Sequence, residues 1–200
     1  MAITSFTVGG VEVKPLLESF DVRETIGAVS TLSCDVMSVG SPVQRFGTFD
    51  EVVVEEDGIA IFAGTVTQTR ERGYGGPNIY DETGAPQIVT TLTGEDRNRI
   101  ADRVTVTEVI AGGSPGTTLE EFLTLLVSDY LTTFGVTLDA SQATGPVLPE
   151  MSFDAMRASE VLQALSDATG YLWRIDYDKQ LRMWLPGDLA APFAIDEYDD

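Results

Sequence analysis

The pair Asp57-Gly58 narrows what this chain can fold into more than any other feature. It follows EVVVEE (51–56) and precedes IAIFAGTVTQTRE (59–71). Both flanks are rich in β-branched and aromatic residues. Asp-Gly suits the positive backbone angles of a tight two-residue turn, so the segment is predicted to be a β-hairpin. Gly64 inside the returning strand predicts a bulge or a close backbone approach. Thr65, Thr67 and Thr69 share one face of that strand, as in a half-exposed sheet. Gly9-Gly10 marks a second hairpin, between the alternating residues Ile3–Val8 and Val11-Glu-Val13. A further β-run, SFDVRETIGAVSTLSCDVMS (19–38), completes an antiparallel β region over residues 1–104.

The period changes after Arg103. AGGSPG (111–116) is a Gly/Pro/Ser connector. Thr118 and Glu121 form a capping box. Leu119, Phe122, Leu123, Leu126, Tyr130 and Phe134 then recur at helical spacing up to Gly135, predicting a helix over 118–134. A short strand, VTL (136–138), follows. Ala158, Val161, Leu162, Leu165 and Ala168 predict a second helix over 155–168, ended by Gly170. YLWRIDYDKQLRMWL (171–185) holds both tryptophans and reads as a hairpin turning near Asp178-Lys179. Tyr171, Trp173 and Ile175 share a face that Leu181, Met183 and Leu185 can meet. Trp184 falls on the other face with Leu172, Arg174 and Arg182. There it is either packed by cation–π contact or an interface anchor. The expected class is α+β: a β-barrel or sandwich over 1–104, then an α+β module of two helices and a hairpin over 105–187. Residues 188–200 form a returning strand or an acidic tail.

Several chemistries are excluded. The chain has no histidine, which removes Ser-His-Asp and Cys-His catalysis and histidine-ligated zinc. Its single cysteine, Cys34, forbids an internal disulfide and reads as a buried thiol on a strand face shared with Leu32 and Val36. Glu120 and Glu121 are explained by capping, and Asp176 and Asp178 by the hairpin turn. GYGGP lacks the strand–glycine–helix context of a phosphate loop, and no GK[ST] occurs. No catalytic group, cofactor site or metal site is expected.

The net charge is −20, from 32 acids and 12 bases. Binding to nucleic acid by phosphate neutralisation needs clustered Lys/Arg, which this chain lacks. A high-salt origin or a role in letting DNA pass without sticking would each account for the charge. No apolar run reaches the ~18 residues of a membrane helix. MAITSFTVGG has no basic or apolar signal region. With 43% hydrophobic residues, a packed core is expected.

Two segments are left as contact candidates. The Gly/Pro-rich loop 73–86, with Tyr74, Asn78 and Tyr80, is either a hairpin tip or an arm ordered by a neighbouring subunit. Arg97, Arg99 and Arg103 are the one local concentration of positive charge. They either pair with Glu95, Asp96 and Asp102 or reach an acidic neighbour.

Four stretches in this order resemble the tail hub, or baseplate hub, proteins of tailed bacteriophages: FGTFDEVVVEEDGIAIFAGTVTQ (46–68), IVTTLTGEDRNRIADRVTV (88–106), TTLEEFLTLLVSDYLTTFGVTL (117–138) and SEVLQALSDATGYLWRIDYDKQLRMWLPG (159–187). The resemblance implies a first barrel of tail-tube type. It implies a homotrimeric ring that closes the tail tube and passes DNA. It implies contacts with distal tail and tube proteins, the tape measure and fibre or spike proteins, in the virion tail tip. Two departures stand out. The turn 177–180 is YDKQ where the family often has glycine. Family members also usually continue beyond a segment like LAAPFAID (189–196), so this chain has the length of a truncated or short form. The alternatives are a component of a tail-like injection or secretion machine of the same fold, or a tail-associated glycan hydrolase using a carboxylate pair.

Overall fold

The computed structural model describes residues 3–39, 45–73, 87–111, 116–139 and 145–188. Tyr74, Asn78 and Tyr80, and the segment 189–200, lie outside the described residues.

Seven strands form one antiparallel sheet: β1 (Ile3–Val8), β2 (Val11–Glu12), β3 (Pro15–Arg23), β4 (Thr31–Val39), β5 (Glu51–Glu56), β6 (Ile59–Gly73) and β7 (Gln87–Asp96). Their order is β2-β1-β5-β6-β7-β4-β3. The continuous segment Val11–Arg23 supplies both outer strands, pairing with β1 at its start and with β4 further on. The sheet therefore curls back on itself. Alternation does the rest: Phe6, Val8, Leu32, Cys34, Val36, Val52, Val54, Phe62 and Leu92 point inward and form one buried cluster. Burial pushes the Cys34 thiol up to about 12, with Asp35 adding to the shift.

Both predicted hairpins are present, with Val8 opposite Val11 and Glu56 opposite Ile59. Asp57 and Gly58 have φ of 52° and 79°, as the tight turn requires. Gly64 sits opposite Asp96, and a Cβ there would lie 2.0 Å from the Glu95 carbonyl oxygen. The close approach read from the sequence is a β6–β7 backbone contact that admits no side chain.

The chain then leaves the sheet through α1 (Arg99–Asp102) and β8 (Thr105–Ile110). Helix α2 (Leu119–Leu126) starts at the predicted box. The Thr118 hydroxyl accepts from the Glu121 N–H (3.3 Å), and the Glu121 carboxylate accepts from the Thr118 N–H (2.8 Å). The helix widens into a π-turn over Val127–Leu131 and tightens into a 3₁₀ turn over Thr132–Phe134. Next come β9 (Thr137–Leu138), β10 (Met151–Arg157), α3 (Ala158–Thr169), β11 (Leu172–Ile175) and β12 (Gln180–Trp184). β10 pairs with β8. β12 lies between β11, antiparallel, and β9, parallel. The helices and these two small sheets enclose a second, larger buried cluster running from Ala101 to Met183.

The apolar spacing predicts the second helix from 155, but the helix begins at Ala158 and the preceding residues are strand β10. Ala155 and Met156 favour a helix, yet pairing with β8 wins. Phe153 is buried 5.8 Å from the Phe122 ring, and a bulge at Ala155 (φ 51°) lets the strand turn toward the helix. The start of α3 is fixed because the Glu160 carboxylate accepts the Arg157 N–H at 2.9 Å.

Candidate functional site

The segment Glu95–Arg103 joins the two cores, and it divides the three candidate arginines by role. Arg97 is 8% exposed and ion-paired with Glu51 of β5. The hydrogen bond from Arg97 holds the Glu51 carboxyl below the usual carboxylate range, against the opposing effect of burial. Arg99 pairs with Glu95, four residues back at the end of β7. Arg103 is exposed, and its guanidinium lies 5.3 Å above the ring of Phe49. Two of the three are thus engaged inside the chain, and the third faces outward.

Asn98, between the paired arginines, ties three elements together. It is 3% exposed. Its Nδ2 donates to the Ala28 carbonyl at 2.7 Å and to Asp96 at 3.3 Å, and its Oδ1 accepts the Ile175 N–H at 2.7 Å. One side chain therefore holds the β3–β4 turn, the exit from β7 and strand β11. Sequence reasoning missed it because an Asn in a polar stretch signals a turn, and nothing local reveals partners 70 and 77 residues away. Asp96 beside it is also buried, and burial raises its pKa to about 6. Hydrogen bonds from Ser30 and Asn98, and the charge of Arg174, pull the other way.

A second seam runs along the hairpin β11–β12. The Tyr177 hydroxyl donates to Glu24 at 3.1 Å, and its ring lies 6.3 Å from Phe62 of the first core. Arg174 stacks 5.1 Å over that ring and is 3.9 Å from Glu24. Burial, then the charge of Glu24, pushes the Tyr177 phenol up. Arg174 and Arg182 face each other across the strands. Their mutual repulsion is offset because Arg182 pairs with Asp139 at 2.9 Å and Asp176 at 3.1 Å.

Trp173 and Trp184 separate as the alternation requires. Trp173 is 1% exposed in the second core beside Ile175, Leu181 and Met183. Trp184 is half-buried on the outer face, opposite Leu172. Among the described residues no guanidinium stacks on it; the stacking on that side goes to Tyr177.

Two clefts follow the seams. One, of about 240 Å³, is lined by Gly27, Asn98, Asp102, Ser159, Gln163 and Trp173. The other, of about 500 Å³, lies between the Asp57-Gly58 hairpin and the β11–β12 hairpin, and includes Ile59, Arg174, Asp176, Tyr177 and Arg182. Their charged groups largely face partners already in the chain. Asp102 accepts from Ser159 at 2.5 Å, and both arginines are ion-paired. Among the described residues, no three His, Cys, Asp or Glu side chains are grouped to hold a metal ion, and no helix is long and apolar enough to cross a membrane. The geometry joins one half of the chain to the other and leaves an aromatic–arginine pair outside.

No family model matches the sequence, and no curated protein matches it. Solved structures do. The 43 kDa tail protein of prophage MuSo2 from Shewanella oneidensis superposes with a TM-score of 0.62 at 13% identity, over 91% of this chain and 54% of that protein. A tail protein from Neisseria meningitidis MC58 gives 0.60 at 15% identity, over 90% and 49%. Prophage tail protein gp18 from Listeria monocytogenes EGD-e gives 0.50 at 14%, over 86% and 46%. The chain therefore shares its fold with these phage tail proteins. The chain spans about half the length of the tail proteins it matches.

Proposed function

We propose that this chain is a structural subunit of a phage tail tip, part of a hub ring that closes the tail tube and lets DNA pass. The observation that carries the reading is the fold shared with phage tail proteins over about nine-tenths of the chain. The charge of −20 suits it, because an acidic wall repels DNA. In this reading the chain acts through contacts and not through catalysis. Its partners are further copies of itself in a trimeric ring, tube and distal tail proteins, the tape measure and fibre or spike proteins. The test is antibody labelling of intact particles viewed by electron microscopy. Gold at the distal end of the tail is the expected result; labelling along the tube or none on particles would overturn it. A tail-like injection machine of the same fold is the second reading, and gold on DNA-free tail-like particles would favour it.

A further inference from the structure

Phe49 occupies a position that its backbone reserves for other residues. Gly47–Asp50 is a four-residue turn: the Asp50 N–H donates to the Gly47 carbonyl at 3.3 Å, and the Asp50 carboxylate accepts the Gly47 N–H at 2.7 Å. Phe49 is the third residue, with φ of 78°. Glycine or asparagine is the ordinary choice there, and a bulky side chain at positive φ is strained. Asp57 and Lys179, also at positive φ, sit in hairpin turns and are polar. The strain at Phe49 is not repaid by burial, since the residue is 67% exposed. The neighbouring bonds do not permit relaxation: the Phe49 N–H donates to the Val66 carbonyl at 2.7 Å, and the Val66 N–H to the Asp50 carbonyl at 2.8 Å. Arg103 lies against the ring and, among the described residues, has no carboxylate partner, unlike Arg97 and Arg99. An exposed aromatic steadied by an unpaired arginine has the composition of an interaction hot spot.

The same chain carries a complementary surface. A recess of about 360 Å³ follows the π-turn after α2, lined by Val127, Ser128, Thr132, Gly135, Val136 and Leu138. Its lining is mostly apolar. The Ser128 hydroxyl on its rim donates to the exposed Asp129 carboxylate at 2.6 Å. We infer that Phe49 of one copy seats in the Val127–Leu138 recess of a second copy, with Arg103 meeting Asp129. With 32 acids and 12 bases, two copies repel each other except where a cation is set against a carboxylate, and this pairing supplies one. Ridge and recess are different surfaces, so the contact is head-to-tail, the kind that closes into rings. The inference rests on the assembly role proposed above and gives it a contact.

The experiment is sedimentation velocity of the full chain across a concentration series, with thermal melts of each variant. Wild type associates. F49G melts no lower than wild type, because glycine relieves the strain, yet its dissociation constant rises at least about tenfold, the loss expected of a hot spot. R103E and D129R each weaken association, and R103E/D129R restores it. Association of F49G and R103E at wild-type strength would overturn the contact, as would two weakened single variants that the double variant fails to rescue. A wild-type chain that stays monomeric would also overturn it. The tail reading is then decided separately by labelling of particles.

Discussion

The curled sheet of residues 3–96 and the α+β region that follows are built by different means. The sheet holds a modest core of alternate residues, and its geometry is set by strand registry. The second region has the larger buried cluster, drawn from two helices and two small sheets. Interlocking backbone therefore specifies the first, and side-chain packing the second. Between them lies a joint that is neither, made of buried polar groups on Asp96, Arg97 and Asn98. The comparison teaches that damage to each region has its own signature: steric in the sheet, cavity-forming in the second region, and unsatisfied hydrogen bonds at the joint.

The largest expected effect tests the packing side. Trp173→Ala removes the biggest fully buried side chain of the second core and is expected to cost about 3–5 kcal/mol. Urea unfolding followed by the fluorescence of Trp184 and by far-ultraviolet circular dichroism measures it. A loss under about 1 kcal/mol would mean the core repacks freely. Next comes Gly64→Ala, which adds one methyl group where the Glu95 backbone leaves no space. The expected loss is about 3 kcal/mol, at the upper end of overpacking. Amide exchange should speed up first in β6 and β7, and equal acceleration in α3 would erase the distinction between the regions.

The joint comes third. Asn98→Ala strands the Ala28 carbonyl and the Ile175 N–H, and is expected to cost about 2–3 kcal/mol. It should also split a single unfolding transition into two, seen as non-coincident curves from two probes. A single sharp transition in that variant would show that the regions are coupled elsewhere, for instance through Tyr177 and Phe62.

Asp96 gives an effect confined to one pH window, and its sign is fixed by linkage. Its folded pKa is raised to about 6 by burial, so the folded state holds the proton more tightly than the unfolded chain. The ionised group is thus a burden that is complete above pH 6 and absent below about pH 4. Asp96→Asn should remove a pH-dependent component of about 3 kcal/mol across that window. The stability of wild type minus variant should fall as pH rises from 4 to 6. A flat difference would mean that Ser30, Asn98 and Arg174 already compensate the buried charge.

The two regions also differed in how far they could be read from sequence. The Asp57-Gly58 and Gly9-Gly10 hairpins were legible because turn chemistry and period-two alternation agree there. The face assignments of Trp173 and Trp184 followed from alternation alone. β10 was hidden because Ala155 and Met156 are helix formers, and its strand character comes from β8, more than 40 residues earlier. α1 is a single turn, too short to show a period. The candidate surfaces were less legible still. Charge counting put Arg97, Arg99 and Arg103 together, but whether an arginine is engaged within the chain depends on Glu51 of another strand. Phe49 was not singled out in the sequence, because a positive φ is not written in composition.

The most direct test of the central claim is the copy number of this chain in purified particles, measured by mass spectrometry against labelled peptides. A tail-tip ring predicts a small, fixed number, one ring's worth per particle and far below that of the tube protein. Absence from particles, or abundance equal to the tube protein, would contradict it.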